Sequence, residues 1–270
     1  MIFSLRGVRR SFDGRGGRVT AVDGVSFEVA AGERVVVLGP SGAGKTTLFA
    51  LLNTTLRPTE GTVHFEGEDV NGLRPGALRA LRRRIGTVFQ QPRLVPSLSA
   101  RENALLGRAG HWSFAGALAA WARPSHGELE RVDAALEAVG LLHRARARGD
   151  ELSGGEQQRV AIARVLVQEP SAVLADEPFS SLDPALRESM AGLLFGVAAR
   201  GRTLVAVMHD VEFALRHFPR VVGLRAGKVS FDLPTSQLTP ALLEQLYPTA
   251  PVGRPEAHGA ERAPALACAR

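Results

Sequence analysis

The residues best suited to phosphate chemistry form an unbroken block, Gly39-Pro40-Ser41-Gly42-Ala43-Gly44-Lys45-Thr46. It follows the apolar run Val35-Val36-Val37-Leu38 and leads into the helix formers Thr47-Leu48-Phe49-Ala50-Leu51-Leu52. A glycine-rich turn between a strand and a helix lets successive backbone N–H groups converge on an anion. The helix start adds about half an elementary positive charge at the same point. Lys45 is then placed to reach the β- and γ-phosphates, and the Thr46 hydroxyl suits Mg²⁺, so the order matches G-x-x-x-x-G-K-[ST] and Gly39 to Thr47 reads as a nucleotide cradle. A glycine-rich hairpin carrying a surface lysine has the same composition; the flanking strand and helix argue against it.

A second block, Ser171-Ala172-Val173-Leu174-Ala175-Asp176-Glu177-Pro178, reads as a buried strand ending in two acids. Asp176 is suited to hold the metal shell and Glu177 to polarise an attacking water. Two adjacent acids also occur at solvated strand ends, and it is the companion phosphate loop that favours chemistry. A third block, Leu152-Ser153-Gly154-Gly155-Glu156-Gln157, precedes the helical run Gln158 to Gln168. Ser153 and the N–H groups of Gly154 and Gly155 stand at a helix start and make a second anion site, although a serine N-cap with a glycine turn has the same residues.

The elements that must hold these blocks alternate along the chain. Apolar runs at Ile2 to Val8, Arg34 to Leu38, Ile85 to Phe89, Ala172 to Ala175, Leu204 to Met208 and Val221 to Leu224 are separated by helical stretches, which predicts an α/β domain with central strands buried on both faces. Alternating pieces between Thr20 and Val63, such as Val25 to Val29, predict antiparallel edge strands. Between about residues 93 and 165 helix formers take over, with Leu129, Val132, Leu136 and Val139 on one face of a helix over Glu128 to Val139. This predicts an inserted helical subdomain (about 93–165) in a core of about 1–92 and 166–248. The Ala-, Pro-, Gly- and Arg-rich stretch 249–270 is predicted to be disordered.

Composition narrows the function. The lone cysteine, Cys268, permits neither a disulfide framework nor a cysteine-based zinc site and fits a reducing compartment. The 33 Lys+Arg exceed the 27 Asp+Glu by six, an excess read as solvated surface near anionic headgroups rather than as a nucleic-acid interface. Arg6 interrupts the first apolar stretch and no run of 18 apolar residues occurs, so the chain is expected neither to be exported nor to span a membrane.

The block Leu152 to Gln157 resembles the signature loop of ATP-binding cassette (ABC) proteins, and the likeness extends over about residues 3 to 247. It implies the ABC-type P-loop NTPase fold: a mixed central sheet, an antiparallel β edge subdomain and the inserted helices. Gln90, after Val88-Phe89, resembles the Q-loop glutamine that contacts Mg²⁺ and water. Ser181-Leu182-Asp183 resembles the D-loop, with Asp183 at the dimer interface. His209 resembles the switch histidine on the γ-phosphate. Phe12 takes the place of the aromatic residue that stacks on adenine, where the family often has tyrosine; a core residue of the edge sheet is the alternative. The resemblance implies ATP and Mg²⁺, and a head-to-tail homodimer in which Ser153, Gly154 and Gly155 of one copy cap the nucleotide on the other. It also implies integral membrane permease subunits, an extracytoplasmic solute-binding protein, no nucleic acid, and a peripheral place on the cytoplasmic face of the inner membrane.

Within the family, Val88 to Val95, Glu102 to Gly107, His209 to Arg216 and Val222 to Val229 resemble phosphonate or phosphite importer ATPases. So does the insert Gly110 to Pro124 with Trp112, Phe114 and Trp121. The insert is read either as helical-subdomain packing or as a permease contact. Phosphate, amino acid or lipoprotein cargo stays open. So does, less favoured, a non-transport ATPase acting on nucleic acid or ribosomes; a kinase would leave the signature block and His209 unused.

Overall fold

Period-2 burial in the valine-rich strands sets the layering. The computed structural model describes residues 1–14, 17–113, 116, 123–179, 182–199 and 201–247. In chain order the elements begin with β1 (Phe3–Gly14), β2 (Gly17–Val29), β3 (Arg34–Leu38), α1 (Lys45–Leu52), β4 (Glu60–Phe65) and β5 (Glu68–Asp69). There follow α2 (Pro75–Arg82), β6 (Ile85–Val88), α3 (Ala100–Leu105), α4 (His126–Ala138), α5 (Gly154–Gln168) and β7 (Ala172–Asp176). The order closes with α6 (Pro184–Ala199), β8 (Thr203–Val207), α7 (Val211–His217), β9 (Arg220–Arg225), β10 (Lys228–Pro234) and α8 (Pro240–Leu246).

The larger sheet runs β10-β9-β3-β8-β7-β6, parallel from β9 through β6 with β10 antiparallel at the edge; the smaller one, β2-β1-β4-β5, is antiparallel. Because side chains alternate across a strand, the larger sheet feeds two cores. Val36, Leu38, Val173, Ala175, Leu204 and Ala206 join the core shared with α3 to α8. Val35, Val37, Ala172, Leu174, Val205 and Val207 join the core shared with α1, α2 and the antiparallel sheet. A strand buried on both faces must be apolar throughout, which is why these runs carry no alternation in sequence.

One expectation is corrected here. The run Ile2 to Val8 is not a central strand: it lies in β1, paired antiparallel with β2 and β4. A short apolar run does not encode which sheet it joins; the partner strands decide that. The helix predicted over Glu128 to Val139 runs from His126 to Ala138, set by a capping box in which Ser125 and Glu128 satisfy each other's backbone N–H. Ser99 with Glu102 and Ser153 with Glu156 form the same device at α3 and α5. No helix among the described residues is long and apolar enough to cross a membrane. The 249–270 stretch, Phe114, Trp121 and Ser181 lie outside the described residues.

Candidate nucleotide site

Sheet order assembles the site. Neighbouring strands β3, β8, β7 and β6 all end at one edge, with Val37 opposite Val207, Val207 opposite Asp176, and Ala175 opposite Val88. At about 4.8 Å per strand, four consecutive strand ends span only about 15 Å. The segment beyond each end is a predicted functional block: Gly39 to Thr47 after β3, His209 after β8, Asp176 and Glu177 at the end of β7, and Gln90 after β6. Residues separated by more than a hundred positions in sequence therefore share one edge, the usual location for ligands of open parallel sheets.

The phosphate loop is shaped by two glycines. A Cβ on Gly39 would lie 2.1 Å from the Leu224 carbonyl oxygen, so β9 closes directly behind the loop. Gly44, the N-cap of α1, has φ 99° and faces the Ala21 carbonyl, where a Cβ would come within 2.2 Å. Lys45 folds over the loop and donates from Nζ to the carbonyls of Gly39 (2.6 Å) and Pro40 (2.9 Å). Burial holds its ammonium below the usual lysine range, while the Glu177 and Asp176 carboxylates push the other way. Thr46 is exposed at the helix start, and a hydroxyl and a carboxylate such as that of Asp176 are oxygen donors of the kind Mg²⁺ takes alongside phosphates.

At the acid pair, burial raises the Asp176 carboxyl against the opposing charges of Lys45 and Arg93. Burial raises Glu177 as well, against the adjacent His209. Glu177 has φ 47°, an uncommon backbone state for a side-chain-bearing residue, and its N–H donates to the Val207 carbonyl at 3.0 Å. That bond ties the turn after β7 to the end of β8, so His209, two residues beyond Val207, meets it: Nδ1 lies 2.6 Å from Glu177 Oε1. The His209 side chain remains 65% exposed, available on its other nitrogen. Asp210 caps α7 and pairs with Arg187 at 2.5 Å, anchoring the chain after the histidine. Gln90 is exposed beside this edge.

The signature turn is separate. Ser153 caps α5, its hydroxyl accepting from Glu156 N–H at 3.3 Å while Glu156 Oε2 accepts from Ser153 N–H at 2.8 Å. Gly154 is exposed and Gly155 half-buried, and the Ser153 hydrogen bonds to Glu156 stay within its own turn. Asp183 caps α6 by accepting from Leu186 N–H at 3.0 Å and is exposed. Phe12 is an exposed residue of β1 rather than a core residue of its sheet, with the Arg10 guanidinium 4.7 Å over its ring.

Sequence reasoning passed over two side chains beside the site. Tyr247, the sole tyrosine of the chain, accepts at its hydroxyl from Gly39 N–H at 3.0 Å. Gln158 is buried on α5 and donates to the Phe89 and Pro178 carbonyls, beyond the ends of β6 and β7. The signal for Gln158 was there: it sits at the spacing of Ile162 and Val165, on the apolar stripe of its helix, where an amide has to find partners.

A family model described as "ABC transporter" matches residues 22–180. The chain is 41% identical over 242 residues to the phosphonates import ATP-binding protein PhnC of Pseudomonas entomophila, covering 89% of this chain and 91% of that protein. The chain belongs to the ABC transporter family. As an ABC-type ATPase it binds and hydrolyses ATP. A protein of the same description from Anaeromyxobacter dehalogenans is 49% identical over 244 residues, 90% of this chain, which spans 48% of that longer relative. Among solved structures, an ATP-binding cassette in a dimeric post-hydrolysis state bound to ADP and Pi matches at TM-score 0.78 and 33% identity, covering 86% of this chain and 98% of the other. A nucleotide-free cassette from an ABC transporter matches at TM-score 0.74 and 25% identity, over 92% of this chain and 95% of that one.

Proposed function

We propose that this ABC ATPase energises phosphonate import: two copies, joined head to tail on the cytoplasmic face of the membrane, drive permease subunits served by an extracytoplasmic solute-binding protein. The observation that carries the site reading is the row of strand ends that sets the Lys45 loop, His209, the acid pair and Gln90 side by side. The cargo reading is supported by relatives named for phosphonates import at 41–49% identity.

The residues divide the work. Backbone N–H groups of the Gly39–Thr47 loop and the Lys45 ammonium hold the phosphates, and Phe12 lies under the adenine. Thr46, Asp176 and Gln90 would hold Mg²⁺, which would supply charge neutralisation on the phosphates when bound. Glu177 accepts a proton from the water that attacks the γ-phosphorus, the bond to the ADP oxygen breaks, and ADP and phosphate result. His209 orients the Glu177 carboxylate through its 2.6 Å contact, and its exposed ring would face the γ-phosphate. Ser153 and Gly154 are exposed and Gly155 half-buried at a helix start, so a second copy can present them, with Asp183, to the same nucleotide. The stretch of about 93–165 then moves as a helical subdomain, carrying the permease between inward- and outward-open arrangements.

The test is Glu177→Gln. It keeps the shape and the N–H bond to Val207 but removes the base, so ATP affinity persists, MgATP holds a dimer in gel filtration, and turnover falls by about 10²–10⁴. Near-normal turnover overturns the assignment of the base, and a monomer with bound MgATP overturns the paired site.

A further inference from the structure

The parallel ladder between β6 and β7 reaches the pair Val88 and Ala175, and just beyond it the two chains diverge, one into Phe89-Gln90 and the other into Glu177-Pro178. A single side chain from a third element spans the gap. Gln158, on α5 and 1% exposed, donates from Nε2 to the Phe89 carbonyl (3.3 Å) and to the Pro178 carbonyl (2.9 Å). The Phe89 carbonyl adjoins the Gln90 nitrogen, and the Pro178 carbonyl lies one residue beyond Glu177. Gln158 lies five residues after Ser153 on the helix that Ser153 caps, so one rigid element carries both the signature turn and this amide. Among the described residues its Oε1 is buried with no hydrogen-bond partner.

A glutamine on an apolar stripe is costly where leucine would pack, and a half-satisfied buried amide more so. Its presence there calls for a task that packing does not supply. We propose that Gln158 is a positioning residue: it links displacement of the signature helix to the spacing between the Gln90 loop and the Glu177 turn. When a partner's nucleotide draws the Ser153 turn, α5 moves as a unit, and the amide carries that movement to both carbonyls together. The acid pair and Gln90 are thereby brought into register with the attacking water only when the signature helix is engaged. The inference rests on the assignment of Glu177 as the base.

The experiment is Gln158→Leu, which keeps the volume and deletes both bonds. Misplacing a base by a fraction of an ångström to about 1 Å costs about ten- to a hundredfold, so kcat falls by that factor. ATP affinity of the same protein, measured by fluorescent-nucleotide titration, stays within about twofold, since no phosphate-loop contact is touched. In the Glu177→Gln background the same substitution leaves the MgATP-dependent dimer intact. Should Gln158→Leu fail to fold, Gln158→Asn, whose amide is one methylene short of spanning both carbonyls, gives the same split between kcat and affinity. Wild-type kcat overturns the inference, as does a loss of ATP affinity or of dimerisation in parallel with kcat, which marks a general structural role. Normal turnover in Glu177→Gln alone overturns the base assignment instead, so the two failures are distinguishable.

Discussion

Asn103→Leu removes the most heavily bonded side chain in the segment that follows Gln90. Asn103 is wholly buried; Nδ2 donates to the carbonyls of Val95 (3.0 Å), Leu98 (3.0 Å) and Ser99 (3.1 Å), while Oδ1 accepts from Val95 N–H (2.8 Å) and Arg164 Nη2 (3.1 Å). Leucine retains the volume, so the cost is polar. The three carbonyls each keep another donor: Leu98 N–H for Val95, Gly149 N–H for Leu98, and Asn103 N–H for Ser99. Arg164 keeps its bond from Nε to the Asn103 carbonyl at 3.0 Å. The Val95 N–H and Arg164 Nη2 both lose their acceptor; because Val95 is exposed, water limits the first loss to about 1 kcal/mol. The two amide hydrogens, shared among three carbonyls, and the Arg164 bond make three further bonds, which at roughly 0.5–1 kcal/mol net each bring the total to roughly 2.5–4 kcal/mol. For a chain of this size each kcal/mol moves the melting temperature by about 2–4 °C, so a fall of roughly 5–16 °C is expected in calorimetry of the nucleotide-free protein. A fall under about 2 °C refutes the premise that this amide, rather than apolar packing, holds residues 95–99 on α3.

Gly39→Ala drives a Cβ to 2.1 Å from the Leu224 carbonyl oxygen; because backbone on both sides must shift, ATP affinity in a fluorescent-nucleotide titration is expected to fall at least about tenfold, and unchanged affinity contradicts the close approach. Trp112→Phe removes the bond from Nε1 to Glu128 Oε1 at 2.9 Å; a melting temperature lower by about 2–4 °C with ATPase activity unchanged supports a packing role for this tryptophan, and an unchanged melting temperature opposes it.

The phosphate loop, the acid pair and the capped signature helix were legible because each is local. A glycine turn between strand and helix, two acids ending an apolar run, and serine three residues before glutamate are patterns whose physics acts within a few positions. Gln90, His209, Asp183 and Phe12 were legible only through family likeness, since a lone polar or aromatic residue at an element end carries no local signature. The same limit explains the Ile2 to Val8 run, an apolar strand whose membership in the antiparallel sheet depends on β2 and β4. It explains Tyr247 too, whose hydroxyl reaches Gly39 across more than two hundred residues.

Sequence alone thus determined most element types and singled out a glycine loop and the groups proposed to do the chemistry, because propensity, capping and turn geometry are short-range. Only the tertiary structure decided which of them meet. The β3-β8-β7-β6 strand order puts Lys45, His209 and Glu177 on one edge, and Gln158 arrives there from a helix on one face of that sheet. Strand order and helix docking are settled by burial of the whole sheet on both faces, a property that no window of the chain contains.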